Sequence, residues 1–190
     1  RADSARDKSK FIGLHFCSPV DKMKLVEIIR GKDSSDETLA AVFDFVQQIR
    51  KLPIVVNDSL GFFTSRVFAT YTDEGLQLLQ DGVEPVRIDS LAKLAGMPVG
   101  PLAVTDEVSL TLGQKVMETN DRLIREGKVK GDHLDRKATE EIVALMMDQG
   151  RGGRAYGGGF YEYHGDGTKT IWPGLGEILP VKDHGFSNRD

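Results

Sequence analysis

The sequence predicts an α/β segment over residues 1–58, reading as the last strands of a sheet, then a mainly α-helical domain over 59–165 and a polar tail or linker over 166–190. Three observations carry this reading. Two short apolar runs, FIGLHF (11–16) and KLVEII (24–29), are rich in β-branched and aromatic residues and flank a Pro-containing stretch, CSPVDKM. A helical pattern and a further apolar strand, PIVVND (53–58), follow directly. Beyond Gly61 apolar residues recur at helical spacing, and no strand of comparable quality appears before GFYEY.

The two opening runs read as strands joined by a loop, because β-branched and aromatic residues favour pleated, half-buried backbone. If they pair antiparallel about a centre at Asp21, His15 falls opposite Glu27, Leu14 opposite Ile28 and Phe16 opposite Val26. Directly opposed residues share a face of the sheet. Asp33, Ser34 and Ser35 then offer helix-capping oxygens, and Asp36 and Glu37 place negative charge where a first turn prefers it. Leu39, Val42, Phe43, Val46 and Ile49 continue at helical spacing, which predicts an amphipathic helix of roughly 15 residues stopped by Pro53. Strand, strand, helix, strand is the pattern of a sheet's end, with its earlier strands upstream of Arg1.

The second part predicts a long helix from Gly61 to Gly82 with Phe63, Val67, Tyr71 and Leu78 along its apolar face. Pro85–Ala95 reads as a second helix, GMPVGP (96–101) as a rigid turn, and Leu102–Glu126 as one or two helices. Arg136–Asp148 adds another apolar face, with Leu145, Met146 and Met147 as core. GRGGRAYGGG (150–159) sits between a helix end and a short extended segment, whereas a dinucleotide cradle needs glycines between a strand and a helix start. It is expected to be a mobile loop. A DG turn follows at 166–167.

Hydrophobic residues at 39%, charged residues at 28% and a net charge of −4 describe an ordinary globular chain without the basic excess that nucleic acid or an anionic membrane surface demands. One cysteine, Cys17, forms no internal disulfide, and neither a signal peptide nor an apolar run of about 20 residues is evident. The cytoplasm or another reducing compartment is expected, and not secretion. His133, His164 and His184 lack metal-ligand spacing, so no metal site is predicted. The polar opening RADSARDKSK, without an initiator Met, predicts a fragment of a longer polypeptide.

His15 and Glu27 are the residues with the clearest chemistry. An imidazole exchanges protons near neutral pH, and a carboxylate bonded to one ring nitrogen fixes the tautomer and stabilises the charged form. Such a pair suits removal of a hydroxyl proton.

Four blocks in this order, GLHFCSPVDKMKLVEII, VVNDSLGFFTSR, GMPVGPLAVTDEVSL and GRAYGGGFYEY, span residues 13–163 and resemble the 3-hydroxyacyl-CoA dehydrogenase family. They are most similar to the dehydrogenase part of the multifunctional fatty-acid oxidation proteins, in which an enoyl-CoA hydratase part precedes it. The resemblance implies an N-terminal Rossmann-type NAD-binding domain, of which this chain keeps the end, and a helical C-terminal domain that completes the acyl-CoA site. It implies NAD as cofactor, acyl-CoA as substrate, His15 as catalytic base and Glu27 as its orienting carboxylate. Ser65 stands where the family has a substrate-contacting Asn, and Ser18, beside the cofactor region, replaces another. A Ser hydroxyl donates one hydrogen bond but lacks the fixed fork of an amide. No G-x-G-x-x-G occurs in these residues, so the main NAD site is expected upstream and the fragment alone inactive. The missing Rossmann and hydratase domains are implied partners in the same polypeptide, and the helical domain implies a homodimer or a second helical domain packed in its place. A non-catalytic assembly module, with the site dismantled by the two Ser replacements, is the competing expectation.

Overall fold

The computed structural model describes residues 5–130 and 136–185. The chain divides into two compact units, Arg1–Phe68 and Ala69–Asp190.

The first unit is a three-stranded sheet in the order β1 (Gly13–Phe16), β2 (Leu25–Arg30), β3 (Leu52–Asn57), with α1 (Asp36–Gln48) crossing between β2 and β3. β1 and β2 are antiparallel with Leu14 opposite Ile28, His15 opposite Glu27 and Phe16 opposite Val26, the register that symmetry about Asp21 gives. β2 and β3 are parallel, and Glu27 pairs with Ile54. Side chains alternate across a strand. Val26 and Ile28 are therefore buried together with Val46 of α1, while Glu27 between them points to the opposite face. Lys51 Nζ donates to the carbonyls of Val20 and Met23, fastening the β1–β2 loop, in which the Ser18–Pro19 peptide is cis.

The hydroxyl oxygen of Ser35 accepts the Thr38 amide and caps α1, while Ser34 ties its own hydroxyl to the carbonyl of Phe11. The helix is shorter than its periodicity predicts, and Pro53 does not end it. Lys51 N–H returns to Val46 O and Arg50 N–H to Gln47 O, with Arg50 in the left-handed region at φ 59°. This is the closing motif usually built on glycine. Pro53 lies inside β3 in register with Val26, and since the Leu52 amide faces β2 the Pro53 nitrogen faces the opposite side, where among the described residues no strand pairs and a missing N–H costs no ladder bond.

α2 (Thr64–Gln80) begins in the first unit and continues in the second. The second unit holds α3 (Pro85–Leu94), α4 (Pro101–Val108), α5 (Leu110–Arg125), α6 (Lys137–Asp148), the hairpin β4 (Tyr161–Tyr163) and β5 (Lys169–Ile171), and α7 (Leu175–Ile178). Its core joins Leu76, Leu79, Ile88, Leu102, Leu110, Ile142, Met146, Phe160 and Leu175.

Four expectations are corrected here. The buried face of α2 is Gly75, Leu76 and Leu79, whereas Phe63, Val67 and Leu78 are exposed. The reason is Gly75, where an added Cβ would come within 2.4 Å of Pro101, so α4 packs against the helix at its smallest residue. Leu145 is exposed and Met146 fully buried, with Met147 partly buried beside it. Residues 166–185, the described part of the expected tail, carry β5 and α7, and Leu175 is 1% exposed, so this stretch completes the core. The glycine-rich segment is pinned and not a free loop. Gly153 and Gly158 exchange backbone hydrogen bonds, Arg151 donates to the carbonyls of Gly159 and Tyr161 and to Glu162, and its guanidinium lies 4.8 Å from the Trp172 ring centre. Beneath it Asp106, fully buried, accepts the amides of Phe160 and Tyr161 and the Tyr163 hydroxyl. At Gly159 an added Cβ would fall 1.9 Å from Asp106 Oδ1.

Among the described residues no helix is long and apolar enough to cross a membrane. His133 lies outside the described residues.

Candidate active site

The face of the sheet opposite α1 carries the polar constellation. His15 Nδ1 lies 2.6 Å from Glu27 Oε2. Glu27 is completely buried, and the His15 side chain keeps 37% of its surface exposed. With the carboxylate accepting from Nδ1–H, the imidazole lone pair sits on Nε2. The ring is thus anchored to the buried carboxylate through Nδ1, with Nε2 left as the acceptor.

The rest of the site comes from the turn into α2. Phe63 and Thr64 amides donate to Glu27 Oε1 at 2.9 and 2.8 Å, and the Thr64 hydroxyl donates to Oε2 at 2.7 Å. These amides belong to the start of a helix, whose first N–H groups lack partners in their own helix and whose dipole favours negative charge nearby. Glu27 fills that role from a strand. Gly61 at φ 72° and Phe62 at φ 45° turn the chain into the helix, and the Phe62 ring tilts 44° against the imidazole at a centroid distance of 5.7 Å. An aromatic residue in the left-handed region is strained backbone of the kind that clusters at functional sites.

Burial taken alone would raise the pKa of Glu27. The hydrogen bonds from the Thr64 amide, His15, the Thr64 hydroxyl and the Phe63 amide outweigh that burial and hold its carboxyl below the ordinary range. A lowered value means that the folded state releases this proton more readily than the unfolded state. The stabilisation is therefore fully present above the ordinary carboxylate pKa of about 4.3 and is lost as pH falls through the lowered folded value. Glu27→Gln is accordingly expected to lower unfolding stability by about 3 kcal/mol near neutral pH, with the gap to the parent chain closing in acid below pH ~4. Chemical denaturation across a pH series reads both.

Ser65 is exposed, one residue past Thr64 in the first turn of α2, and Ser18 is exposed in the loop after β1. Among the described residues the donors to Glu27 are His15, Phe63 and Thr64, and neither serine joins them. Sequence reasoning missed Thr64 and Phe62. A glycine directly before an apolar pair and a helix-opening Thr was the available signal, since it marks a forced turn that presents two amides.

Residues 61–163, more than half of the chain, match the profile of the 3-hydroxyacyl-CoA dehydrogenase C-terminal domain, and residues 2–59 match the NAD binding domain of the same family. The chain belongs to the 3-hydroxyacyl-CoA dehydrogenase family. The fatty acid oxidation complex subunit alpha of Vibrio cholerae is 35% identical over 180 residues, 95% of this chain and 24% of that protein. Its Shewanella putrefaciens counterpart is 37% identical over 169 residues, 89% of this chain and 23% of the relative. This dehydrogenase-family chain thus spans about a quarter of the length of the curated relatives it matches. Among solved structures, (S)-3-hydroxybutyryl-CoA dehydrogenase from Ralstonia eutropha superposes with a TM-score of 0.72 at 36% identity, covering 86% of this chain and 56% of that one. The dehydrogenase part of multifunctional enzyme 1 from C. elegans gives 0.63 at 25% identity, covering 96% and 40%. The two matched profiles describe an NAD-binding part followed by a helical part, in that order.

Proposed function

We propose that this chain supplies the proton-accepting half of an NAD-dependent 3-hydroxyacyl-CoA dehydrogenase acting in fatty-acid β-oxidation. The observation that carries the reading is the His15–Glu27 pair, a half-exposed imidazole bonded at 2.6 Å to a fully buried carboxylate. Oxidation of a 3-hydroxyl to a ketone removes one proton from oxygen and one hydride from C3. His15 Nε2 takes the hydroxyl proton. Glu27 holds the ring in the tautomer that leaves Nε2 basic and offsets the charge the ring gains. NAD, when bound, would supply the hydride acceptor for C3.

In this reading residues 1–58 end the NAD-binding domain and residues from 59 onward form the helical domain. The glycine fingerprint that cradles a dinucleotide pyrophosphate does not occur in this sequence, and the described sheet has three strands, so no residue here is assigned to the NAD phosphates. Ser18, in the loop that follows the His15 strand, borders the cofactor. Ser65, exposed at the start of α2, donates its hydroxyl toward the acyl-CoA carbonyl. Exposed Leu112 and Val116 on α5 offer an apolar face to a second helical domain or a second copy.

The test is turnover of the full-length polypeptide with 3-hydroxyacyl-CoA and NAD, followed as NADH formation. Steady NADH production is expected. Acyl-CoA binding without any NADH would reject the enzyme in favour of the assembly-module reading.

A further inference from the structure

Thr64 is the residue that meets Glu27 on both oxygens, with its amide on Oε1 at 2.8 Å and its hydroxyl on Oε2 at 2.7 Å. The two oxygens are not held alike. Oε1 accepts two backbone amides, which the helix start fixes in place whatever side chain residue 64 carries. Oε2 accepts the imidazole and one side-chain hydroxyl. The terminal torsion of a glutamate, sp³ to sp², is broad and weakly restrained. Without the hydroxyl, Oε2 is tied only to the ring it has to orient, and carboxylate and imidazole are free to swing together. With it, Oε2 is fixed against the backbone of α2.

We propose that Thr64 is a positioning residue for the proton-accepting pair, its hydroxyl fixing Glu27 Oε2 at the point from which it holds His15 Nδ1. The proposal rests on the reading of His15 as the base. Thr64 touches neither substrate nor cofactor and acts through Glu27. The Phe62 ring centroid lies 5.7 Å from that of the imidazole, so the turn into α2 meets both members of the pair.

Valine replaces threonine with nearly the same shape and removes only the hydroxyl, and serine restores it without the methyl group. In the full-length enzyme, Thr64→Val is expected to lower kcat by about tenfold, the scale of one lost charge-assisted hydrogen bond in the transition state, with KM for 3-hydroxyacyl-CoA and for NAD changed by less than about twofold. Thr64→Ser returns kcat to within about threefold of the parent. In proton NMR the downfield His15 Nδ1–H resonance, read without substrate or turnover, is expected to broaden or move in Thr64→Val and to return in Thr64→Ser. A simple helix-start role moves melting temperature but neither the kcat-to-KM split nor this resonance. The proposal is overturned if Thr64→Val keeps the parent kcat and resonance, or if Val and Ser variants are equally slow. His15→Gln run alongside separates the two levels: turnover surviving there defeats the base reading itself, whereas an inactive His15→Gln beside a fully active Thr64→Val defeats the Thr64 proposal alone.

Discussion

His15→Ala in the full-length polypeptide lowers kcat/KM for 3-hydroxyacyl-CoA oxidation by about 1,000-fold, within the 10²–10⁴ range that a positioned general base contributes. The expectation follows from how the pair divides its work. Glu27 is buried and accepts from His15, Phe63 and Thr64, so it is not placed to meet a substrate, while the imidazole keeps 37% of its surface exposed and leaves Nε2 outside its bond to Glu27. Alanine removes the proton acceptor without touching the carboxylate's bonds to Phe63 and Thr64, so the turn into α2 stays capped. Acyl-CoA affinity, measured by titration in the absence of NAD, is expected to change by less than about threefold, since the adenine, pyrophosphate and pantetheine contacts of so large a ligand lie away from the reacting carbon. A loss of affinity as large as the loss of rate would assign His15 to binding.

Asp106→Ala is expected to cost about 3 to 5 kcal/mol of stability, the largest structural effect of any single residue described above. Asp106 is 0% exposed and accepts the Phe160 amide at 2.8 Å, the Tyr161 amide at 3.0 Å and the Tyr163 hydroxyl at 3.0 Å. Alanine leaves two buried amides and one part-buried hydroxyl without an acceptor, at about 1 to 3 kcal/mol for each buried amide before relaxation. Burial raises the pKa of Asp106 even against those bonds and the nearby Arg151 charge. The folded state therefore holds this proton more tightly than the unfolded state, and the group's contribution declines as pH rises from the ordinary carboxylate range through its raised value. The aspartate is retained in spite of that cost because nothing apolar can accept three donors. A melting temperature within a few degrees of the parent would show that the glycine-rich segment is not anchored there.

The parts of this fold that local chemistry dictates were legible in the sequence. The short apolar runs on either side of CSPVDKM read as paired strands, and a pairing centred on Asp21 puts His15 opposite Glu27, which is the register of β1 and β2. The capping oxygens of Asp33, Ser34 and Ser35 announced the start of α1, and Ser35 supplies the cap. Features that arise only when distant segments meet were not legible. The Thr64–Glu27 bonds join residues 37 positions apart, and nothing local to GFFTSR names a carboxylate as its partner. The buried face of α2 departs from the apolar periodicity because Gly75, which adds nothing to such a pattern, is where Pro101 packs. The polar stretch after Gly165 looked like a linker since its few apolar residues, Ile171, Trp172, Leu175 and Ile178, show no long period and are recruited singly into the core.

The base assignment has one direct physical test, the position of the substrate hydroxyl in a crystal structure of the full-length polypeptide with 3-hydroxyacyl-CoA bound. The 3-hydroxyl oxygen is expected about 2.6–3.2 Å from His15 Nε2, with Nδ1 still on Glu27. A bound acyl-CoA whose 3-hydroxyl meets another side chain, with Nε2 facing solvent or hydrogen-bonded elsewhere, would contradict it.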